Sequence, residues 1–150
     1  MGETALNFGA GVPVTDVEAA AYEIPTDQQP ESDGTLQWSS TTLVVVELEA
    51  GGETGVGYTY NHRAAATIVR SKLAEALEGE NALAIRERWR AMQRIVRNLG
   101  RVGVVASAIA AADAALWDLK GKLLEAPVAD LLGRARDAVP VYGSGGFTSY

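Results

Sequence analysis

The sequence predicts an α+β fold, in which a three-stranded antiparallel sheet is followed by a helical bundle packed against one of its faces. Three observations predict it. Extended signals dominate as far as Tyr60 and helical ones from Ala64 onward, with no internal repeat or low-complexity linker to divide them. The β-branched run Thr41 to Val46 is followed by Gly51-Gly52 and a second extended piece, which is a hairpin signal. Finally, Val105, Ile109, Ala112, Leu116, Leu119 and Leu123 step by four and three, the spacing of one buried helix face.

In chain order, residues 1–11 lack periodicity and read as a flexible leader. Val12 to Ile24 is rich in small and β-forming residues with a partial alternation at Val12, Val14 and Val17, and Pro25 ends it. Thr26 to Leu36 holds only turn and polar residues before its last position and reads as a loop of about ten residues, long enough to suspect a role. Ser39 to Glu49 and Thr54 to Tyr60 complete the sheet.

From Ala64 the period becomes helical. Val69, Leu73, Ala76 and Leu77 line a first helix that stops near Gly79. Asn81 is placed to cap a second, with the stripe Ile85, Trp89, Met92, Val96 and Leu99 ending at Gly100. The third helix, rich in Ala and apolar on most sides, should be central, and Pro127 stops it. Val128 to Leu132 make a short apolar turn that Gly133 closes with a left-handed cap. Ala138 to Tyr142 reads as one more short strand that does not belong to the sheet.

Composition limits the function classes. With 47% hydrophobic and 21% charged residues the chain is globular rather than disordered. The absence of cysteine excludes a disulfide framework and thiolate metal sites, which suits a reducing cytoplasm. No basic residue precedes Arg63 and no long apolar run occurs, which argues against a secretory signal or a membrane span. Ten acidic residues and no Lys or Arg lie before Arg63, whereas all thirteen bases follow. A chain of net charge −6 is a poor polyphosphate binder overall, and neither a GxGxxG nor a GxxxxGK[ST] phosphate loop is present. Arg86, Arg90, Arg94, Arg97 and Arg101 do form a basic stripe along the second helix. It is expected to be a solvated face pairing with Glu87 and the acidic half, or a subunit interface, since no aromatic residue is interleaved for base stacking.

Asp113, Ala115, Leu116, Asp118, Leu119, Gly121, Lys122, Pro127, Val128, Leu131, Leu132 and Gly133, in this order and spacing, resemble the signature of the enolase superfamily, in its mandelate racemase and muconate-lactonizing branch. Ala112 departs from the pattern, standing where a larger aliphatic is usual. The resemblance covers residues 12–146. It implies a capping domain over 12–133 and, from 134–150, the first strand of a (β/α)8 barrel of about 250 residues whose remainder lies beyond this sequence. It also implies abstraction of the proton α to a carboxylate, with Mg2+ holding the enediolate. The resemblance further implies a racemase or acid-sugar dehydratase acting on a small carboxylate, working as a homo-oligomer without nucleic-acid or membrane partners. Its metal ligands and bases belong to later barrel strands, so none is assigned here and the segment alone should be catalytically silent.

Two loops of such a cap usually contact the substrate, here Thr26 to Trp38 and Tyr58 to His62. Trp38, Tyr60 and His62 are therefore the candidate specificity residues, with Tyr142 and Ser144 added at the barrel entrance. Asp27, Glu31 and Asp33 make the first loop acidic, either solvated or bound to sugar hydroxyls. Lys120 and Lys122 complement a helix C-terminus rather than act as bases. Asp113 and Asp118 should be held by backbone or by an arginine. The competing expectation is a free-standing interaction module that binds through its underside and its arginine stripe.

Overall fold

The computed structural model describes residues 11–26 and 30–143. The expected leader, Asp27 and Ser144 lie outside them, apart from Gly11. Strands β1 (Val14–Pro25), β4 (Ser40–Ala50) and β5 (Glu53–Tyr60) form the antiparallel sheet in the order β1-β4-β5. Between β1 and β4 the loop is not featureless: β2 (Glu31–Ser32) and β3 (Gln37–Trp38) make a miniature hairpin pairing Glu31 with Trp38. Two-residue strands are too short to leave a periodic signal in sequence.

The sheet alternates as a one-sided sheet must. Val17, Ala19, Val44, Val46, Leu48 and Ala50 are buried beneath the helices. The other face presents Ala20, Val45 and Tyr58 in one row and Tyr22, Leu43 and Tyr60 in the next.

Helix α1 (Ala64–Ile68) continues through a π turn, Val69–Leu73, and a 3₁₀ turn, Ala74–Ala76, rather than as one regular helix. Its expected face is nonetheless buried at Val69, Leu73, Ala76 and Leu77. Helix α2 (Ile85–Ile95) starts at Ala84, not Asn81. The Asn81 Oδ1 instead accepts from the Val12 N–H at 3.0 Å and the Leu83 N–H at 3.1 Å, tying the start of the chain to the helices.

The α2 stripe is also turned from its expected setting. Ile85, Met92 and Val96 are buried, but Trp89 is 45% and Leu99 56% exposed. Arg88 takes the inward place, pairing with Glu80 at 2.7 Å and Glu87 at 2.8 Å and donating to the Ala76 carbonyl at 3.3 Å. An inward arginine is tolerated because its charge is matched by those two carboxylates.

Helix α3 (Val104–Leu123) lies across β5 and β4, and all six residues of its expected face are buried. A Cβ on Gly57 would stand 2.0 Å from the Ala111 carbonyl oxygen, and one on Gly55 2.3 Å from that of Ala115, so only glycine permits this approach. Pro127 caps the short α4 (Val128–Leu131), and Gly133 follows at φ +86° as the left-handed stop. Ala138 to Tyr142 forms no strand: it is exposed and pairs with nothing among the described residues, because an isolated strand has no ladder to satisfy its backbone.

Candidate functional site

At one end of the sheet, Ile24, Pro25 and Thr26 from β1, Glu31 and Trp38 from the small hairpin, Thr41 from β4 and Tyr60 from β5 surround an open cleft of about 520 Å³. Local chemistry fixes the hairpin beside it. At its neck the Thr26 N–H donates to the Ser39 carbonyl at 2.9 Å, and the Thr26 hydroxyl donates to the same oxygen at 3.2 Å. At its tip the Asp33 carboxylate accepts from the Thr35 N–H, the Thr35 hydroxyl and the Leu36 N–H at 2.7 to 2.9 Å. These bonds hold the Asp33 carboxyl down at a pKa of about 2, the Thr35 hydroxyl contributing most. Across the ladder the Trp38 indole N–H donates to the Glu31 carboxylate at 3.2 Å, which sets the ring against the cleft.

Trp38 and Tyr60 are thus brought together, and Tyr60 is braced edge-on by Tyr58 with ring centroids 6.1 Å apart. His62 is not a lining residue. Its Nδ1 accepts the Ala64 N–H at 3.1 Å at the start of α1. Tyr142 is 90% exposed on the C-terminal segment and does not line the cleft either. Glu31 and Thr26 of the first loop join Trp38 and Tyr60, together with Thr41 of β4, which no sequence signal marks. The miniature hairpin that gathers them was the missing signal.

Among the described residues the cleft contains two aromatic rings, three hydroxyls and one carboxylate, and no cation. It suits the hydroxylated, uncharged part of a ligand, not a carboxylate group. Magnesium does not fit the described residues, among which no three acidic or histidine side chains cluster as ligands. The Asp118 carboxylate is already used: it accepts the Val56 N–H at 2.8 Å and pairs with Lys122 at 2.8 Å, and these contacts lower its pKa against the opposing effect of burial. Asp113 stands half-buried in an apolar wall with its pKa raised by desolvation. Lys122 also donates to the Thr54 carbonyl and Lys120 lies over the Trp117 ring, so both lysines of the α3 C-terminus are structural.

The arginine stripe differs from its expectation. Its five side chains are exposed and none forms an ion pair among the described residues, while Glu87 pairs with Arg88 instead. Trp89, 45% exposed, flanks the stripe on the side turned toward α3, where it borders a pocket with Arg86 and Arg90. No helix among the described residues is long and apolar enough to cross a membrane.

Comparison with known proteins agrees with this architecture. A structure of a mandelate racemase/muconate lactonizing enzyme-like protein from Rubrobacter xylanophilus superposes with a TM-score of 0.86 at 54% identity, over 92% of this chain and 38% of that one. A racemase from Streptomyces coelicolor, solved with bound magnesium, superposes at 0.75 with 36% identity, over 80% of this chain and 35% of its own. The 3,6-anhydro-alpha-L-galactonate cycloisomerase of Streptomyces coelicolor is 43% identical over 108 residues, which are 69% of this chain and 30% of that enzyme. The chain therefore spans about a third of the length of such relatives. The model of the mandelate racemase / muconate lactonizing enzyme N-terminal domain matches residues 17–133, most of the chain, and the protein accordingly belongs to that family.

Proposed function

We propose that this chain is the substrate-capping part of a Mg2+-dependent enzyme that abstracts the proton α to the carboxylate of an acid sugar, leading to racemisation, dehydration or cycloisomerisation. The observation that carries this reading is the cleft between Trp38 and Tyr60, whose rings and hydroxyls match the carbon and hydroxyl faces of a sugar chain. The Streptomyces cycloisomerase, named for a galactonate, and the magnesium in the Streptomyces racemase support the substrate class and the metal. Bound elsewhere in the enzyme, magnesium would supply charge stabilisation for the substrate's carboxylate oxygens as the α-proton leaves. This segment contributes neither its ligands nor the base, and is catalytically silent by itself.

What this segment does is grip the distal, hydroxylated end and exclude water, which holds the α-carbon in register with a base elsewhere in the enzyme. Glu31, oriented by the Trp38 indole, accepts from a sugar hydroxyl, and Trp38 covers an apolar C–H face. The test uses the full-length enzyme in deuterated water with a panel of acid sugars. One member should exchange its α-proton, and chelation should abolish the exchange. Trp38→Ala should raise KM about tenfold or more while changing kcat less, the signature of lost substrate binding away from the reacting atoms. Exchange that persists in chelator overturns the metal assignment. An unchanged KM and substrate preference in Trp38→Ala overturns the capping role.

A further inference from the structure

Two charged surfaces of this chain have no counterpart within it. Along α2, Arg86, Arg90, Arg94, Arg97 and the following Arg101 are exposed, and no carboxylate among the described residues lies within ion-pair reach of any of them. On the outer face of the sheet, Glu18 lies directly beside Glu47, and Asp16 beside Glu49, all exposed and likewise without an ion pair. Like charges directly opposite across strands destabilise a sheet unless a cation is supplied, so this arrangement asks for one. The same face continues into Val56, Tyr58 and Tyr22, which are 40%, 63% and 54% exposed, giving an apolar patch with an acidic end. The two surfaces cannot meet inside one chain. Helix α2 packs on α3 and on the continuation of α1, whereas the acidic face is the side of the sheet turned away from the helices.

We propose that the arginine stripe of α2 in one copy of this protein docks onto the acidic, tyrosine-bearing outer face of the sheet in a second copy. The chemistry matches on both counts: guanidinium groups bind carboxylates through paired N–H donors and stack on tyrosine rings, which lysine does less well. Trp89, 45% exposed at the edge of the stripe beside Arg86, supplies an apolar contact next to the charges. Because the contact joins two different patches on opposite sides of the molecule, it is head-to-tail, and it builds a closed ring or a chain of copies. Tyr60, at the far end of the same face, stays with the sugar cleft. The inference is independent of the catalytic reading, since it concerns neither the cleft nor the reaction. Nucleic acid is the less suitable partner for the stripe, because the net charge of −6 repels a polyanion.

The experiment is sedimentation velocity on the intact protein and two charge reversals, Arg90→Glu with Arg94→Glu, and Glu18→Lys with Glu47→Lys. All four positions are exposed, and thermal melts would confirm that both variants fold. The wild type should self-associate more tightly at low salt than at high salt, and each variant alone should associate about tenfold more weakly or worse. A mixture of the two variants should regain the wild-type assembly, because the acidic stripe of one then faces the basic sheet of the other. Three results overturn the proposal: no effect of either reversal, loss in both without recovery on mixing, or a wild-type stripe that binds duplex DNA while the protein remains monomeric.

Discussion

Asp33 shows how a single carboxylate organises the segment that carries Trp38. Its three hydrogen bonds close the tip of the small hairpin, and they favour the ionised form, so its pKa falls from 3.8 to about 2. A depressed carboxylate pKa means that the unfolded chain binds the proton more readily than the folded one. The contribution is therefore complete above the ordinary value of 3.8 and disappears as pH falls through about 2. In a background carrying Trp89→Phe and Trp117→Phe, the remaining Trp38 fluorescence should report the hairpin loosening across that window. Asp33→Ala should show the loosened spectrum at neutral pH and no acid step. His62 is the converse case at this scale. It is a candidate through its place in the loop after β5, and there its Nδ1 accepts from the α1 backbone, a use that depends on where the helix begins and that loop position does not announce.

Among the elements, α3 was the most legible because its burial follows from spacing alone: six apolar residues on one stripe meet a sheet whose inner face is equally regular. The strands were legible for the same reason, apart from the pairs of residues in β2 and β3, whose shortness removes periodicity. Helix α2 was legible in position but not in rotation. Trp89 and Leu99 fit an apolar stripe, but the inward place is taken by Arg88, and only its partners Glu80 and Glu87 make that possible. What spacing could not reveal was how close α3 comes to β5. That approach depends on Gly57 and Gly55, where an added methyl would meet helix backbone, which has no rotamer with which to yield. Gly57→Ala should cost about 3 kcal/mol in chemical denaturation, the upper range for overpacking. Val56→Ala, one residue away on the outer face, should cost under about 1 kcal/mol and provides the control.

For the whole molecule, the candidate cleft was half visible in the sequence. The resemblance named Trp38 and Tyr60, and the fold brings them together with Glu31, Thr26 and Thr41, whereas His62 and Tyr142 stand apart. The side of the molecule formed by α2, α3 and α4 was not visible at all. There Trp89, Ile109, Trp117, Val128 and Leu132 line a groove of about 630 Å³ with Asp113 in its wall, and no group among the described residues donates a hydrogen bond to that carboxylate. Desolvation without compensation raises its pKa, so the folded chain holds the Asp113 proton more tightly than the unfolded chain does. Between the ordinary value of 3.8 and the raised one, stability consequently falls as pH rises, and above the raised value the full cost of ionisation persists. Asp113→Asn removes that cost. It should raise the melting temperature of this chain at neutral pH and leave it nearly unchanged at pH values below 3.8, where the aspartate is already neutral in both states. A variant that melts lower than wild type at neutral pH would overturn this, showing that the folded chain stabilises the ionised carboxylate, for which Arg86 and Arg90 on the adjoining pocket wall are the cations at hand.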